Sequence, residues 1–449
     1  MINENILNII DDYINSHRDE IINDLRALVE IPSVRGCELP DAPYGEQCKK
    51  ALDKSLELFE KNGFKGRFAK SKKYILAETE QQGKTLGLFG HCDVVAADGE
   101  WLYGEPFKLT QRNGFLVGRG CNDDKSGIIQ MLYSAKMIKE LNIPMDNKLL
   151  FFVGACEEDG MDDIADYVKN ETMPDISIVP DGEYPYYSAE KSRARLMLES
   201  CIPFEKIKNI QGGKCYNVIL SNVNIEYNDG SKFEVAGTGG HAGHPEGSEN
   251  ALVKYIEMAL DDDRLSISDK VILKEVHTIL SDCYGSGLGI GHTDDFWGKL
   301  TCANGIVRVI DGKLQMSLDI RYGQTIGGVE IKEIIQERLK GRWKVVDSSF
   351  TTGYIIDENN QAATTIRNVY SSLSGIECEC GIKTAGGTYS KFLNNSFSIG
   401  TVMPHPELKH GFKDGHGAVH APDEAMSEKG FLESIKTLLV MILEIDKIL

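Results

Sequence analysis

The sequence is short of positive charge. Its 449 residues carry 68 Asp and Glu against 49 Lys and Arg, a formal net charge of −19. A nucleic-acid partner needs Lys and Arg along its phosphates, so this balance argues against one. It leaves metal cations open. Long apolar runs are also missing. None approaches the roughly 18 residues of a membrane span, so no membrane partner is expected. The opening "MINENILNIIDDYINSHRDE" has no basic segment followed by an apolar core and does not read as a signal peptide. No CxxC pair occurs among the eleven cysteines; Cys378 and Cys380 form only a C-x-C, read as structural. Thiols without a secretory signal point to a reducing, cytoplasmic setting. The chain shows no internal repeat and no low-complexity linker.

What is present is a globular composition, 41% hydrophobic and 26% charged, on a chain long enough for two domains. "ENILNIIDDYINSH", "EIINDLRALVEI" and "QCKKALDKSLELFEKNGF" carry apolar residues at helical spacing. Strand candidates follow: "YILAE", "TLGLFG", "FLVGRG", "KLLFFVGA" and "DISIVP". Between them "SGIIQMLYSAKMIKEL" predicts an amphipathic helix. Strands alternating with helices predict an α/β domain with a mostly parallel central sheet flanked by helices. From about 191 to 355 the texture changes to alternating apolar and polar residues, with "NALVKYIEMAL" and "GVEIKEIIQERLKG" as helices, an α+β insert. The α/β texture then returns and ends in "GFLESIKTLLVMILEIDKIL". The division expected is a discontinuous domain, 1–190 with 356–449, and an inserted domain, 191–355.

Acids and histidines gather in five stretches. In "GHCDVVAADGEW", His91 and Asp93 follow an apolar run and point to one face of a strand. A capped loop would explain them, and so would a metal ligand with its orienting acid. In "GRGCNDDKSG", Asp123 and Asp124 precede a helix, where two acids alone are an N-cap. In "FFVGACEEDGM" an apolar strand runs into Glu157 and Glu158, which are costly to bury unless a cation meets them. Asp181 follows another strand in "SIVPDGEYP", and His420 lies in "GAVHAPDEAM". Ligands in open α/β sheets sit outside the carboxyl ends of the strands, so His91, Asp123, Glu157, Glu158 and Asp181 are expected to converge at one edge. Carboxylates in that number repel without a counter-charge, which two divalent cations would supply. A mixed N/O donor set suits Zn or Mn.

At this point the motifs resemble a family. The order HxDVVP…W…PF, GRGxxDDKG, a Glu pair before Gly, PDG and a late HxPDE is similar to that of the dinuclear zinc/manganese metallopeptidases, which include carnosinases, aminoacylases and desuccinylases. The likeness is strongest to the bacterial PepV-like (Sapep-type) dipeptidase branch. It implies a hydrolase-like α/β catalytic domain with an α+β lid. It implies that His91 and Asp181 bind one metal, that Glu158 and His420 bind the other, and that Asp123 bridges them. Glu157 would be the general base toward a two-metal-activated water, and Asp93 would hold the His91 ring. Asp124 would help set the geometry of Asp123.

The insert carries "GTGGHAGHPEGSENA", which makes His241 the matching oxyanion-steadying histidine. A dinucleotide loop fails there on spacing, since Gly237 and Gly239 are followed by Ala242. Asn217 and Arg321 match positions that hold the substrate's carboxylate, for which the Arg fork is suited. The turn Gly386, Gly387, Thr388 and Tyr389 matches a pocket-lining turn of the dipeptidase branch. Ala96 and Ser126 depart from the usual Pro and Gly. His416 rivals His420, which is preferred for its "APDE". His17, His277, His292, His405 and His410 read as structural. Cys92, Cys121 and Cys156 read as small core residues. The enlarged lid implies a monomer that acts on small peptides. The expected activity is a metal-dependent dipeptidase cutting dipeptides with a free C-terminal carboxylate. An N-acyl amino acid deacylase is the alternative, and a non-catalytic binding protein a weaker one.

Overall fold

Four of the apolar runs become neighbouring strands. In a computed structural model describing residues 4–449, a six-stranded sheet runs in the order Lys65–Phe68, Tyr74–Glu78, Lys148–Gly154, Thr85–His91, Ile176–Gly182, Ser396–Gly400. Its centre is parallel, and the two strands at one edge are antiparallel. Thr85–His91 and Lys148–Gly154 are buried at all but their first residue, and Ile176–Gly182 is buried over its middle four. That is why they read as continuous apolar runs and not as alternating patterns.

Helices Glu4–Val29, Glu46–Lys61, Lys125–Glu140 and Glu428–Asp446 pack with this sheet in one core. The two N-terminal apolar stretches are one continuous helix, Glu4–Val29. Lys125–Glu140 differs from the amphipathic surface helix its pattern suggests. Residues 125–138 are all buried, because the sheet, Glu4–Val29 and Glu428–Asp446 pack around it. Two of its serines bond inside: Ser126 donates to the Asn122 carbonyl at 2.9 Å and Ser134 to that of Ile435 at 3.2 Å.

The register of the parallel strands sets what their carboxyl ends hold. His91 lies level with Gly154. Leu88 lies level with Ile178, so three residues further on His91 comes level with Asp181. The chain leaving Gly154 reaches Glu157 within one turn of backbone. Acids and an imidazole therefore meet at one edge because parallel pairing aligns strand ends.

The chain divides into two compact units. The first comprises the chain up to Ala189 with Ile355–Ile382 and Thr388–Leu449, and the second Glu190–Tyr354 with Lys383–Gly387. The stretch Lys383–Gly387, expected with the catalytic part, groups with the second unit. That unit is built on an antiparallel sheet ordered Lys232–Ala236, Asn222–Tyr227, Ile207–Gly212, Val307–Ile310, Lys313–Tyr322, Ser192–Ser200, Trp343–Thr351. Helices Ala251–Ala259, Ile267–Ile279 and Gly328–Arg338 complete a separate apolar core. Ile267–Ile279 was not apparent from the sequence; Ser266 and Asp269 cap it reciprocally.

Gly127 marks a close approach. A Cβ there would lie 2.1 Å from Asp124 Oδ1 and 2.4 Å from the Pro180 carbonyl. Gly127→Ala is expected to destabilise the metal-free protein by about 1–3 kcal/mol, as overpacking does. An unchanged urea midpoint would show that the helix is not pressed against this strand end.

Candidate active site

Two groups of donor atoms form where the strands end. His91, Asp124 and Asp181 form one, and Asp123, Glu158 and His420 the other; within each, the donors lie within 4.8 Å of one another. Asp123 links them. Its Oδ1 is 3.0 Å from His91 Nε2 and its Oδ2 is 3.0 Å from His420 Nε2. His420 Nε2 is also 2.9 Å from Glu158 Oε1, and His91 Nε2 is 3.8 Å from Asp181 Oδ1. Asp124 joins the His91 group, and its Oδ2 accepts the His91 backbone N–H at 3.1 Å. The peptide bond between Asp123 and Asp124 is cis.

Asp93 answers for the orientation of His91. The ring Nδ1 is 3.0 Å from the Asp93 carbonyl and 3.3 Å from its carboxylate. A neutral ring that donates from Nδ1 turns the Nε2 lone pair to the acids. The Asp93 carboxylate also accepts the backbone N–H groups of Glu157 and Glu158, at 3.2 and 3.1 Å. One side chain thus orients the first histidine and the Glu pair together.

The electrostatics call for a cation. Asp93, Asp123, Asp124, Glu157, Glu158 and Asp181 crowd around two imidazoles. Burial raises the Glu157 and Asp124 carboxyls well above their usual range and pushes Asp181 up to about 7. Burial alone would lower the His91 pKa, but Asp123, Asp181 and Asp93 hold it well above the ordinary value. Asp124 Oδ1 and Glu157 Oε1 are sealed from water with no hydrogen-bond partner. Orphaned carboxylate oxygens are rare in buried surroundings, and two sets of one His and two acids fit a pair of divalent ions.

Further carboxylates hold the loops that carry these donors. Glu424 is fully buried; it pairs with Arg119 at 2.7 Å and accepts the N–H groups of Gly120, Asn122 and Asp123 at 3.0–3.2 Å. Asp423 accepts N–H groups from Leu102, Tyr103 and Gly104 at 2.7–3.1 Å. His420 and Asp423 adopt left-handed backbone, φ 65° and 54°, a strain such clamping offsets. Asp163 Oδ2 takes the N–H groups of Ala155 and Cys156 at 2.8 Å and the Tyr389 hydroxyl at 2.6 Å.

His416, the rival histidine, places Nδ1 2.6 Å from Asp423, whereas His420 meets Asp123 and Glu158. His17 stacks on Tyr13, His277 faces Glu257, His292 faces Thr325, His405 lies between Glu407 and Glu433, and His410 accepts from Phe412 N–H. Cys92, Cys121 and Cys156 are buried. Ala96 is exposed, so losing a Pro there costs little.

In the second unit, Val218 pairs with His241 across a short ladder, and the Asn217 backbone carbonyl accepts the Ala242 N–H at 2.9 Å, which sets Asn217 beside His241. Arg321 is buried. Its Nε and Nη2 donate to Asp319 and its Nη1 to the Ala385 carbonyl, which commits three of five N–H donors. Gly386 donates to Thr384 Oγ1 at 2.9 Å, and Gly387 closes the stretch assigned to this unit. The Tyr389 ring lies edge-on to that of His91, centroids 6.3 Å apart. Thr388 and Tyr389 are both buried in the first unit, with the Thr388 hydroxyl on Ser398 and the Tyr389 hydroxyl on Asp163.

The model of the peptidase family M20/M25/M40 matches residues 87–444. This chain belongs to that family. As a peptidase it has relatives along its whole length. It is 26% identical to the Beta-Ala-Xaa dipeptidase of Lactobacillus delbrueckii subsp. lactis, with 96% of this chain and 97% of that one covered. It is 24% identical to the putative dipeptidase YtjP of Bacillus subtilis, with 88% and 92% covered. Among solved structures, human carnosine dipeptidase 1 superposes with a TM-score of 0.62 at 14% identity, covering 98% of this chain and 99% of that one. The dipeptidase Dug1p of Saccharomyces cerevisiae gives 0.61 at 15%, with 98% of each covered. Bacillus subtilis YXEP, described as a dinuclear metal binding peptidase, gives 0.54 at 11%, with 97% and 100% covered. These likenesses show the α/β fold of the family.

Arg119, Asp163, Asp423 and Glu424 were not singled out from the sequence. Arg119 and Glu424 do lie inside the quoted motifs "GRG" and "APDE"; Asp163 has no motif and is found only through its contacts. Glu424→Ala leaves Arg119 buried without its partner, and a loss of about 3–5 kcal/mol is expected in denaturant unfolding. Replacing both Arg119 and Glu424 by Met should cost less than the single change. A larger loss in the double variant would show that the pair is not an isolated buried ion pair.

Proposed function

We propose that this peptidase is a metal-dependent dipeptidase that cleaves dipeptides with a free C-terminal carboxylate. The observation that carries this is Asp123, one carboxylate facing His91 with one oxygen and His420 with the other, beside an unpartnered Glu157. The relatives named as dipeptidases support the substrate class. His91, Asp124 and Asp181 would hold one divalent ion, Glu158 and His420 the other, with Asp123 between them. Two such ions, Zn or Mn, supply the counter-charge and the Lewis acidity for hydrolysis.

The chain's own residues do the rest. Glu157 Oε1 takes a proton from the attacking water and passes it to the leaving amine. Burial raises its pKa, which makes it a stronger base than an exposed carboxylate. Asp93 keeps Nε2 of His91 toward the acids and fixes the backbone on which Glu157 stands. In the second unit, Arg321 is the residue we assign to the substrate's terminal carboxylate, using its two remaining donors, and His241 to the oxyanion. None of the eleven cysteines forms a disulfide, which supports a cytoplasmic setting. No helix among the described residues is long and apolar enough to cross a membrane. We take the working unit to be a monomer.

Stripped of metal, the protein should lose all turnover of a small dipeptide panel and recover it with Zn or Mn. Metal uptake at two equivalents without dipeptide cleavage, but with hydrolysis of N-acetyl amino acids, would establish the deacylase instead. Glu157→Gln should lower kcat by at least about a thousandfold while elemental analysis still finds two ions per chain. Retained turnover would remove Glu157 from the mechanism.

A further inference from the structure

The second unit holds a cavity of about 540 Å³. Its size lies in the range of small-molecule sites. The wall carries three lysines, Lys191, Lys299 and Lys383, against a single acid, Glu246. In a chain of net charge −19 this is a local reversal of sign. Glu246 is turned to the Tyr284 hydroxyl at 3.1 Å.

The lysines are held by groups that leave their charge intact. Lys299 Nζ lies 4.5 Å from the Tyr284 ring centre, and Lys383 Nζ lies 3.8 Å from that of Phe296 while donating to the Phe296 carbonyl at 3.0 Å. Among the described residues, neither has an acid within ion-pair distance. Lys191, which is buried, donates to the Lys299 carbonyl at 2.6 Å. Ring faces and carbonyls orient an ammonium without neutralising it, and low-dielectric walls strengthen its field.

Position narrows the ligand. Gly243 and Ala385 both line the cavity. Gly243 donates its N–H to His241 Nδ1 at 3.2 Å, and Arg321 Nη1 donates to the Ala385 carbonyl at 2.9 Å. A residue whose terminal carboxylate is held by Arg321 has this cavity within reach of its own side chain. We propose that the cavity receives the carboxylate side chain of a C-terminal Asp or Glu, and that Lys299 and Lys383 make the enzyme selective for acidic dipeptides. This inference rests on the dipeptidase reading.

Ala-Glu and Ala-Gln share length and shape and differ in charge, so their kcat/KM ratio isolates the effect. The wild-type ratio should favour Ala-Glu by about tenfold, as two partly exposed ion pairs supply. Lys299 and Lys383 are exposed, so the Lys299→Ala/Lys383→Ala double variant should fold, and its ratio should fall to about one. Equal ratios in the two proteins overturn the proposal. Trp297 lines the cavity and gives a readout that needs no turnover. In metal-loaded Glu157→Gln protein its fluorescence should change saturably with Ala-Glu and not with Ala-Gln, and the change should vanish in Trp297→Phe and in the double lysine variant. If neither dipeptide is cut, the dipeptidase reading fails, and this titration decides the cavity by itself. A saturable response that needs the lysines keeps the acidic-ligand site, and no response ends it.

Discussion

Buried carboxylates that face one another repel, and among them Asp123 alone is held below its usual range, by His420 and His91 against the cost of its burial. It shares one oxygen with each of two imidazoles, while Asp124, Glu157, Glu158 and Asp181 close in behind. Without a counter-charge, burial drives such acids toward their protonated forms, as the raised values of Glu157, Asp124 and Asp181 show. The fold holds the acids close in spite of this. That opposition between scaffold and electrostatics makes the two donor groups candidates for divalent cations.

The scaffold answers the repulsion with more carboxylates, placed one step back. Asp93 ties down the backbone of Glu157 and Glu158, Asp163 that of Ala155 and Cys156, and Glu424 that of Gly120 to Asp123. Each accepts backbone N–H groups, bonds that are stronger when the acceptor is charged. Because they are buried they exchange little with water, so each donor loop enters the site already ordered. Preorganisation of this kind lets a site bind ions without first ordering its ligands.

The second unit solves a different problem. Arg321 is a buried cation and is satisfied locally by Asp319 and the Ala385 carbonyl. Lys299 and Lys383 are carried on rings and carbonyls. Acids close in on the first site and cations on the second cavity.

Much of the first unit was legible before any coordinates. "TLGLFG", "KLLFFVGA" and "DISIVP" read as strands because most of their residues are apolar, and acids beyond their ends stand out against that background. The family resemblance rested on the same short motifs. What sequence could not reach depended on distance along the chain. The Lys125–Glu140 helix has an amphipathic pattern yet is buried from Lys125 to Ile138, and Ser134 finds its partner in Ile435, 301 residues away. The Tyr389 hydroxyl goes to Asp163, 226 residues away. Glu424 anchors a loop some 300 residues earlier.

By itself, then, the sequence determined which residue types stand at the ends of buried strands, since hydrophobic burial and strand periodicity are local properties. Only the tertiary structure decided which acids face an imidazole and which turn back to clamp a backbone. That choice depends on strand register and loop packing, which bring residues together through space and leave no mark on their neighbours in the chain.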